Sequence, residues 1–162
     1  MQLDLEQNFS ADPDTVFALF CDRTFVENRL AIVEATSKEL REHEVSDGSL
    51  TVTVFTTVAR SKLPKAVRGF VRGEPEVIRT ERWNRVDNGY SGETTVELKG
   101  PGDTEGRMTL EPDGTGSKVT VHFDIRVPIP MFGADVEKTL SGEIAQIVDT
   151  EFGFLSDHLA KG

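Results

Sequence analysis

A cluster of basic residues is the first part of the sequence whose side chains could do chemistry, by binding an anion. The segment RSKLPKAVRGFVRG carries Arg60, Lys62, Lys65, Arg68 and Arg72 without an intervening acid, although the chain has 28 acidic and 18 basic residues and a net charge of -10. Such a cluster suits a nucleic-acid or membrane patch, a capture surface for a small anion, or the solvated face of an amphipathic helix. The acidic balance argues against nucleic-acid binding, which draws most of its affinity from neutralised phosphates. The other two roles stay open.

A second group of chemically active residues lies in the segment EVIRTERW. Val77, Arg79, Glu81 and Trp83 alternate with other residues there, so a β-strand would place these four on one face. If that face points inward, Arg79 and Glu81 are buried charges, which must pair with each other or with a ligand head group. In the alternative, the intervening residues point inward and Trp83 closes one end of the core.

Other groups able to do chemistry are few. Tyr90 falls on the same face of its predicted strand as Val96 and Leu98. Its hydroxyl could anchor a ligand, or Tyr90 could be a core residue with one hydrogen bond. His43, His122 and His158 form no HExxH or His-x-His pattern, and Cys21 is the single cysteine, so we predict no metal site. His43 and His122 are expected at the surface. No GxSxG, P-loop or GxGxxG sequence is present, so no cofactor is predicted.

The elements that would position these groups can be read from hydrophobic spacing and turn residues. Residues 2–9 alternate like a half-buried strand, and Asp12 and Asp22 are candidate N-caps of two short helices. A long hairpin over residues 32–58 turns at Asp47-Gly48, and four more strands follow from residue 76 to residue 127. The apolar spacing over 133–160 predicts one long amphipathic helix. This order indicates an α+β fold within a single domain spanning residues 1–162.

The basic segment interrupts the strands and has a helical pattern of its own. Leu63, Val67, Phe70 and Val71 fall on one side of the predicted helix, and the cations fall on the other. Pro64 and Gly69 shorten it. A highly twisted antiparallel sheet curls, and a single long helix can cover its concave face, so the gap between them is often a cavity.

The chain resembles a bacterial branch of unknown function within the START-related (SRPBCC) superfamily, which includes birch-pollen-allergen-like proteins and polyketide cyclases. The element order, the VPIP bend before the last helix, and the passages LPKAVRGFVRG and EVIRTERW carry the resemblance, which covers nearly the whole chain. It implies a helix-grip fold, in which a curved sheet of six to seven strands wraps around the C-terminal helix and encloses an apolar cavity. Members of the superfamily carry lipids, bind hormones, cyclise polyketides or assist chaperones, so the fold does not choose among these functions.

We predict a cavity lined by the inward faces of the strands, the basic segment and the last helix. Its candidate residues are Val52, Val54, Leu63, Val67, Phe70, Val77, Arg79, Glu81, Trp83, Tyr90, Val96, Met108, Leu140, Ile144 and Ile147. The predicted rim consists of Lys62, Lys65, Arg68 and Arg72, which would attract a carboxylate, a phosphate or an anionic bilayer.

Three functions remain compatible with this sequence. The first is binding of a small apolar or amphipathic ligand, with no nucleic acid as partner. The second is a cyclase or dehydratase-type enzyme that uses Arg79, Glu81 or Tyr90 in the same cavity. The third is a protein-interaction module with a filled cavity. The sequence does not determine the number of subunits.

The expected location is the cytoplasm. The start MQLDLEQNF has neither a basic leader nor an apolar stretch, so we read no signal peptide. No apolar run is long enough to cross a bilayer, so we expect no stable membrane insertion.

Overall fold

A computed structural model describes residues 1–69, 71–99 and 102–161 of the chain. Strands and helices follow the predicted order, and a 3₁₀ turn at Arg60–Lys62 precedes the third helix. The elements are β1 (Gln2–Phe9), α1 (Pro13–Cys21), α2 (Arg23–Ala31), β2 (Ser37–Ser46), β3 (Ser49–Thr57), α3 (Lys65–Arg68), β4 (Glu76–Val86), β5 (Gly89–Leu98), β6 (Asp103–Asp113), β7 (Gly116–Arg126) and α4 (Gly133–Lys161).

All seven strands form one antiparallel sheet in the order β1-β7-β6-β5-β4-β3-β2. Strands that follow one another along the chain are neighbours in the sheet, except that β1 pairs with β7. The sheet is curved and open, with the long helix α4 against it and two short helices after the first strand. The predicted α+β helix-grip fold is therefore confirmed.

Short-range signals account for the ends of several elements. The Asp12 carboxylate accepts a hydrogen bond from the Thr15 amide at 2.7 Å, and the Asp22 carboxylate accepts one from the Phe25 amide at 3.3 Å, so both predicted N-caps are confirmed. The turn between β2 and β3 contains Gly48 at φ 71°, a left-handed conformation that glycine adopts without steric cost.

One predicted boundary was wrong. The hairpin's first arm was predicted to begin at residue 32, but α2 extends to Ala31 and β2 begins only at Ser37. The helix of the basic segment is short, as predicted: α3 is a single turn, Lys65–Arg68, bounded by Pro64 and Gly69. Proline and glycine limit the helix because neither supports a continuing helical hydrogen-bond ladder well.

The last helix is a single helix over Gly133–Lys161, as its spacing predicted. Val136 is buried, whereas Leu140, Ile144 and Ile147 are only half-buried. All four residues border an open space between the helix and the sheet, but Val136 is also packed against Val67 and Val127.

Two hydrophobic clusters fill the space between the sheet and the helices. The larger one joins α1 and α2 to the sheet and to Val148 and Leu155 of α4, and the smaller one joins Val67, Val127 and Val136. Helices α1 and α2 cover one end of the inner face, and the open space lies between the two clusters, since Val136 and Val148 both line it.

Candidate functional site

A cavity of about 190 Å³ lies between the inner face of the sheet and α4. Strands β3, β4, β5, β6 and β7, helix α4, the end of α2 and the basic segment all contribute to its wall, which is mainly apolar. Besides the predicted residues, the wall includes Leu30, Val33, Val58, Pro64, Val71, Pro75, Leu98, Phe123, Val136 and Val148. A space of this size and lining is suited to a small, mostly apolar molecule.

Most of the predicted cavity residues line this space. They are Val54, Leu63, Val67, Val77, Arg79, Val96, Leu140, Ile144 and Ile147, together with the predicted rim residue Lys62. They come from β3, the basic segment, β4, β5 and α4, five parts of the chain that the fold brings together.

Other predicted cavity residues lie elsewhere. Val52 and Tyr90 are packed in the larger hydrophobic cluster, because α1 and α2 cover their end of the inner face. Glu81, Trp83 and Met108 surround a second, smaller space that adjoins the cavity. Phe70 lies outside the described residues.

The inward face of β4 is the one that carries Val77, Arg79, Glu81 and Trp83. Cross-strand pairing places Arg79 opposite Val54 on one side and Val96 on the other, all three in the cavity wall. Trp83 lies opposite Gly92, where an added Cβ would approach the indole ring to 2.8 Å. The first of the two alternatives for this strand is therefore the correct one, and it brings two charges inside.

Arg79 and Glu151 form a bidentate ion pair that crosses from the sheet to the last helix. The Nη2 atom of Arg79 donates to Oε1 of Glu151 at 2.6 Å, and Nη1 donates to Oε2 at 3.3 Å. On its other side, Nε of Arg79 lies 3.5 Å from Oε1 of Glu81. The two carboxylates thus hold the guanidinium in a fixed orientation at the cavity wall.

Both members of this pair are ionised. Burial disfavours the charge on Arg79, but Glu151 and then Glu81 outweigh burial and raise the pKa of the guanidinium above its ordinary value. Burial also disfavours the charge on Glu151, but the positive charges of Arg79 and Arg29 hold the pKa of this carboxyl below its ordinary value.

Sequence reasoning missed Glu151 and Arg29, which are both buried. A signal for Glu151 was present, because residue 151 falls four positions after Ile147 and four before Leu155, within the apolar stripe of α4. Arg29 likewise stands one residue before Leu30 on the buried side of α2. A charged residue at an apolar position of a helix indicates a buried partner of opposite charge. For Glu151 this partner is Arg79, which was already identified from the sequence as a candidate buried charge.

Tyr90 is a core residue rather than a cavity anchor. Its ring stacks on Phe17 with the ring centres 3.9 Å apart, and its hydroxyl donates to Oδ1 of Asp14 at 2.7 Å. Burial and the nearby Asp14 carboxylate raise the pKa of Tyr90 to about 12. Its hydroxyl is satisfied by α1 and does not face the cavity.

His43 and His122 lie on opposite faces of the sheet, and His158 lies in the last turn of α4. His122 is on the outer face beside Asp4, as expected for a surface residue. The surface position expected for His43 was wrong, since this residue shares the inner face with Val52 and its Nε2 atom lies 3.1 Å from the Phe20 carbonyl oxygen.

The cations of the basic segment are used largely by the segment itself. The Arg68 guanidinium donates to the carbonyl oxygens of Leu63 at 2.9 Å and Ser61 at 2.8 Å, and Arg60 donates to the carbonyl oxygen of Arg68 at 2.5 Å. These bonds satisfy backbone groups that a 3₁₀ turn and a single helical turn leave unpaired. Lys65 and Arg72 are exposed.

The mouth of the cavity carries both signs of charge. Lys62 pairs with Glu34 at 3.1 Å, which links the basic segment to the loop after α2, and Lys99 pairs with Glu76 at 3.1 Å. Glu143 of α4 also lines the space. The predicted positive rim is thus partly balanced by acids.

Among the described residues, no group of three or more histidine, cysteine, aspartate or glutamate side chains is arranged to hold a metal ion. In the same part of the chain, no helix combines the length and the apolar character that crossing a membrane requires.

A family described as "Protein of unknown function (DUF2505)" matches residues 4–159. The chain belongs to the DUF2505 family. This DUF2505 protein is similar to uncharacterized proteins of Mycobacterium tuberculosis and Mycobacterium bovis. Each is 27% identical over 163 residues, a span that covers 93% of the DUF2505 chain and 92% of the relative.

Solved structures extend the likeness of the DUF2505 chain to the START-related fold. A protein from Thermus thermophilus has 19% identity and a TM-score of 0.65, covering 99% of this chain and 98% of its own. A START superfamily protein from Mycobacterium smegmatis has 13% identity, a TM-score of 0.59 and 98% coverage of both chains. Ara h 8.0201 has 16% identity and a TM-score of 0.56, covering 100% and 99%. The resemblance stated from the sequence is therefore confirmed for the fold.

Proposed function

We propose that this chain binds a small apolar or amphipathic molecule in the cavity between the sheet and α4. The observation that carries the proposal is the cavity of about 190 Å³, with apolar residues over most of its wall and one fixed ion pair, Arg79 with Glu151. For comparison, an apolar cavity of about 150 Å³ in another protein is large enough to bind benzene. The START-related fold supports the proposal, because ligand binding recurs among proteins of this fold.

The cyclase or dehydratase alternative is less well supported by the groups present. An acid or base must be able to exchange a proton near neutral pH. Glu151 is held in its ionised form by Arg79 and Arg29, and Tyr90 is turned toward Asp14. The interaction-module alternative requires a filled cavity, and the space at Leu140, Ile144 and Ile147 is open.

Filling the cavity with a larger side chain is expected to weaken ligand binding strongly. Ile144→Trp places a large ring in the space and should weaken binding of octanoic acid and of 1-octanol by about tenfold or more, because the ligand and the ring would compete for one volume. The free energy of unfolding should change by no more than about 1 kcal/mol, since the ring enters a void. Affinity is measured by NMR titration and stability by urea unfolding.

Gln146→Trp is the matched control, because residue 146 lies on the exposed side of the same helix. It should leave both affinities unchanged. Equal binding by wild type and Ile144→Trp would show that the probes bind somewhere else, and the proposed function would then be wrong.

The exposed cations beside the mouth are proposed to attract anionic ligands. The double variant Lys65→Gln/Arg72→Gln should slow the association of octanoate at low salt by no more than about fivefold, since exposed charges act on the approaching anion only weakly through water. The difference in association rate should vanish at high salt, where screening removes it. Association of 1-octanol should be unaffected at either salt concentration. Identical octanoate association rates for variant and wild type at low salt would reduce the cluster to its structural role in the basic segment.

A further inference from the structure

A second space of about 40 Å³ adjoins the cavity, and we call it the Arg29 chamber. It is bounded by Arg29, Glu81, Trp83, Thr94 and Met108 among others, while Arg79, Phe123, Val148 and Glu151 line both spaces. The ion pair of Arg79 and Glu151 therefore stands at the junction between the cavity and a small chamber whose mainly apolar wall also carries the charged side chains of Arg29 and Glu81.

Hydrogen-bond donors in the Arg29 chamber lack acceptors. The Nε1 atom of Trp83 and the Oγ1 atom of Thr94 are buried without a partner, and both residues are 3% exposed. Arg29 is 8% exposed and its guanidinium lies over the Phe20 ring, 5.7 Å from the ring centre. In the described part of the chain, neither a hydrogen bond nor an ion pair of the Arg29 guanidinium is found.

The nearby carboxylates hydrogen-bond to another cation. Both oxygens of Glu151 accept from Arg79, and Glu81 also faces Arg79, so Arg29 interacts with Glu151 through its charge and not through a hydrogen bond. Two buried donors without acceptors, on Trp83 and Thr94, cost free energy in the empty protein. An acceptor group that entered the chamber would relieve this cost, whereas an apolar group would not.

We infer that the Arg29 chamber binds a carboxylate head group of the ligand, with the apolar tail lying in the cavity. This inference rests on the proposed function and adds the ligand's class and its orientation: an amphiphile that enters head first. The chamber has room for a small polar group, because its volume of about 40 Å³ exceeds the roughly 10–15 Å³ that a single water molecule requires. The basic segment at the mouth would then meet the tail end of the bound molecule.

The orientation can be measured in the wild-type protein, because Trp83 is the single tryptophan and its indole lines the Arg29 chamber. Bromine quenches tryptophan fluorescence at close range. An octanoic acid brominated next to the carboxylate should quench Trp83 more strongly at saturation than one brominated at the far end of the chain. Stronger quenching by the far-end bromine would place the carboxylate at the mouth and overturn the inference.

A variant tests the charge that is proposed to hold the carboxylate. Arg29→Met should weaken octanoate binding by about tenfold or more, since a hydrogen-bonded charge is lost, but should change 1-octanol binding by less than about twofold. The effect should persist at high salt because the chamber is buried, unlike the effect of the exposed cations. Arg23→Met is the matched control on the same helix, where the side chain is 60% exposed and pairs with Glu27.

The outcomes separate this inference from the proposed function. If Arg29→Met binds both probes as wild type does, or loses both equally, the chamber does not select a carboxylate and the inference is wrong while ligand binding stands. If wild type binds neither octanoate nor 1-octanol, the proposed function fails and the inference fails with it.

Discussion

Replacing Glu151 by leucine is expected to lower the free energy of unfolding by about 3–5 kcal/mol, because it leaves Arg79, whose side chain is only 19% exposed, without its bidentate partner. Glu81, at 3.5 Å from Arg79, offsets part of the loss but cannot replace two hydrogen bonds. Urea unfolding followed by circular dichroism measures the change.

The double variant Arg79→Met/Glu151→Leu is expected to recover most of that loss. Removing both charges eliminates the cost of burying them, and the apolar replacements can pack against the wall. The exposed pair Arg23 and Glu27 on α2 is the control, since deleting either partner should cost less than about 1 kcal/mol. A Glu151→Leu variant that loses no more than the Arg23 or Glu27 variants would contradict the assignment of a buried, energetically coupled pair.

Acid titration of the same proteins gives a second readout. The pKa of Glu151 is lower in the folded chain than in the unfolded chain, because Arg79 and Arg29 outweigh burial. Its contribution is therefore complete above the unfolded pKa of about 4.3 and is lost as the pH falls through the lower folded value. Wild type should lose stability more steeply than Arg79→Met/Glu151→Leu over this acidic range. Equal slopes would mean that Glu151 is not perturbed.

Leu155→Ala is expected to lower the free energy of unfolding by about 2–5 kcal/mol, the usual range for a buried leucine. Leu155 is 1% exposed and belongs to the larger hydrophobic cluster, so truncation leaves a void among packed side chains. Leu140→Ala should cost less than about 2 kcal/mol, because Leu140 already borders the open cavity and loses fewer contacts.

The two leucines are matched controls for each other, since both lie on the inner side of α4. Chemical unfolding of both variants measures the difference. A loss for Leu140→Ala as large as that for Leu155→Ala would show that the space beside Leu140 is closed in solution.

Local patterns were sufficient for the strands, the caps and the last helix. Alternation along residues 2–9, the caps Asp12 and Asp22, and the helical spacing over 133–160 depend on neighbours within a few residues, so they can be read without the fold. The same reasoning failed at residues 32–36, which were predicted to belong to the first arm of the hairpin but lie between α2 and β2.

The sequence predicted which strand residues face inward, but not which of these inward residues border the cavity. Period-2 alternation correctly grouped Val54, Val96 and Arg79 with Val52 and Tyr90, because it identifies which side of a strand is inward. It contains no information on what covers that side. Helices α1 and α2 pack over Val52 and Tyr90, whereas α4 stands away from Val54 and Val96 and leaves the cavity.

Which charged residues lie next to each other inside the fold was decided by the tertiary structure alone. Arg79 and Glu151 are 72 residues apart in sequence, and Arg29 comes from a third element, α2. The sequence indicates that a charge in an apolar stripe requires a partner, because burial without one is costly. Which carboxylate pairs with Arg79, and that Arg29 lies beside that pair, follows only from the way α4 and α2 pack against the inner face of the sheet.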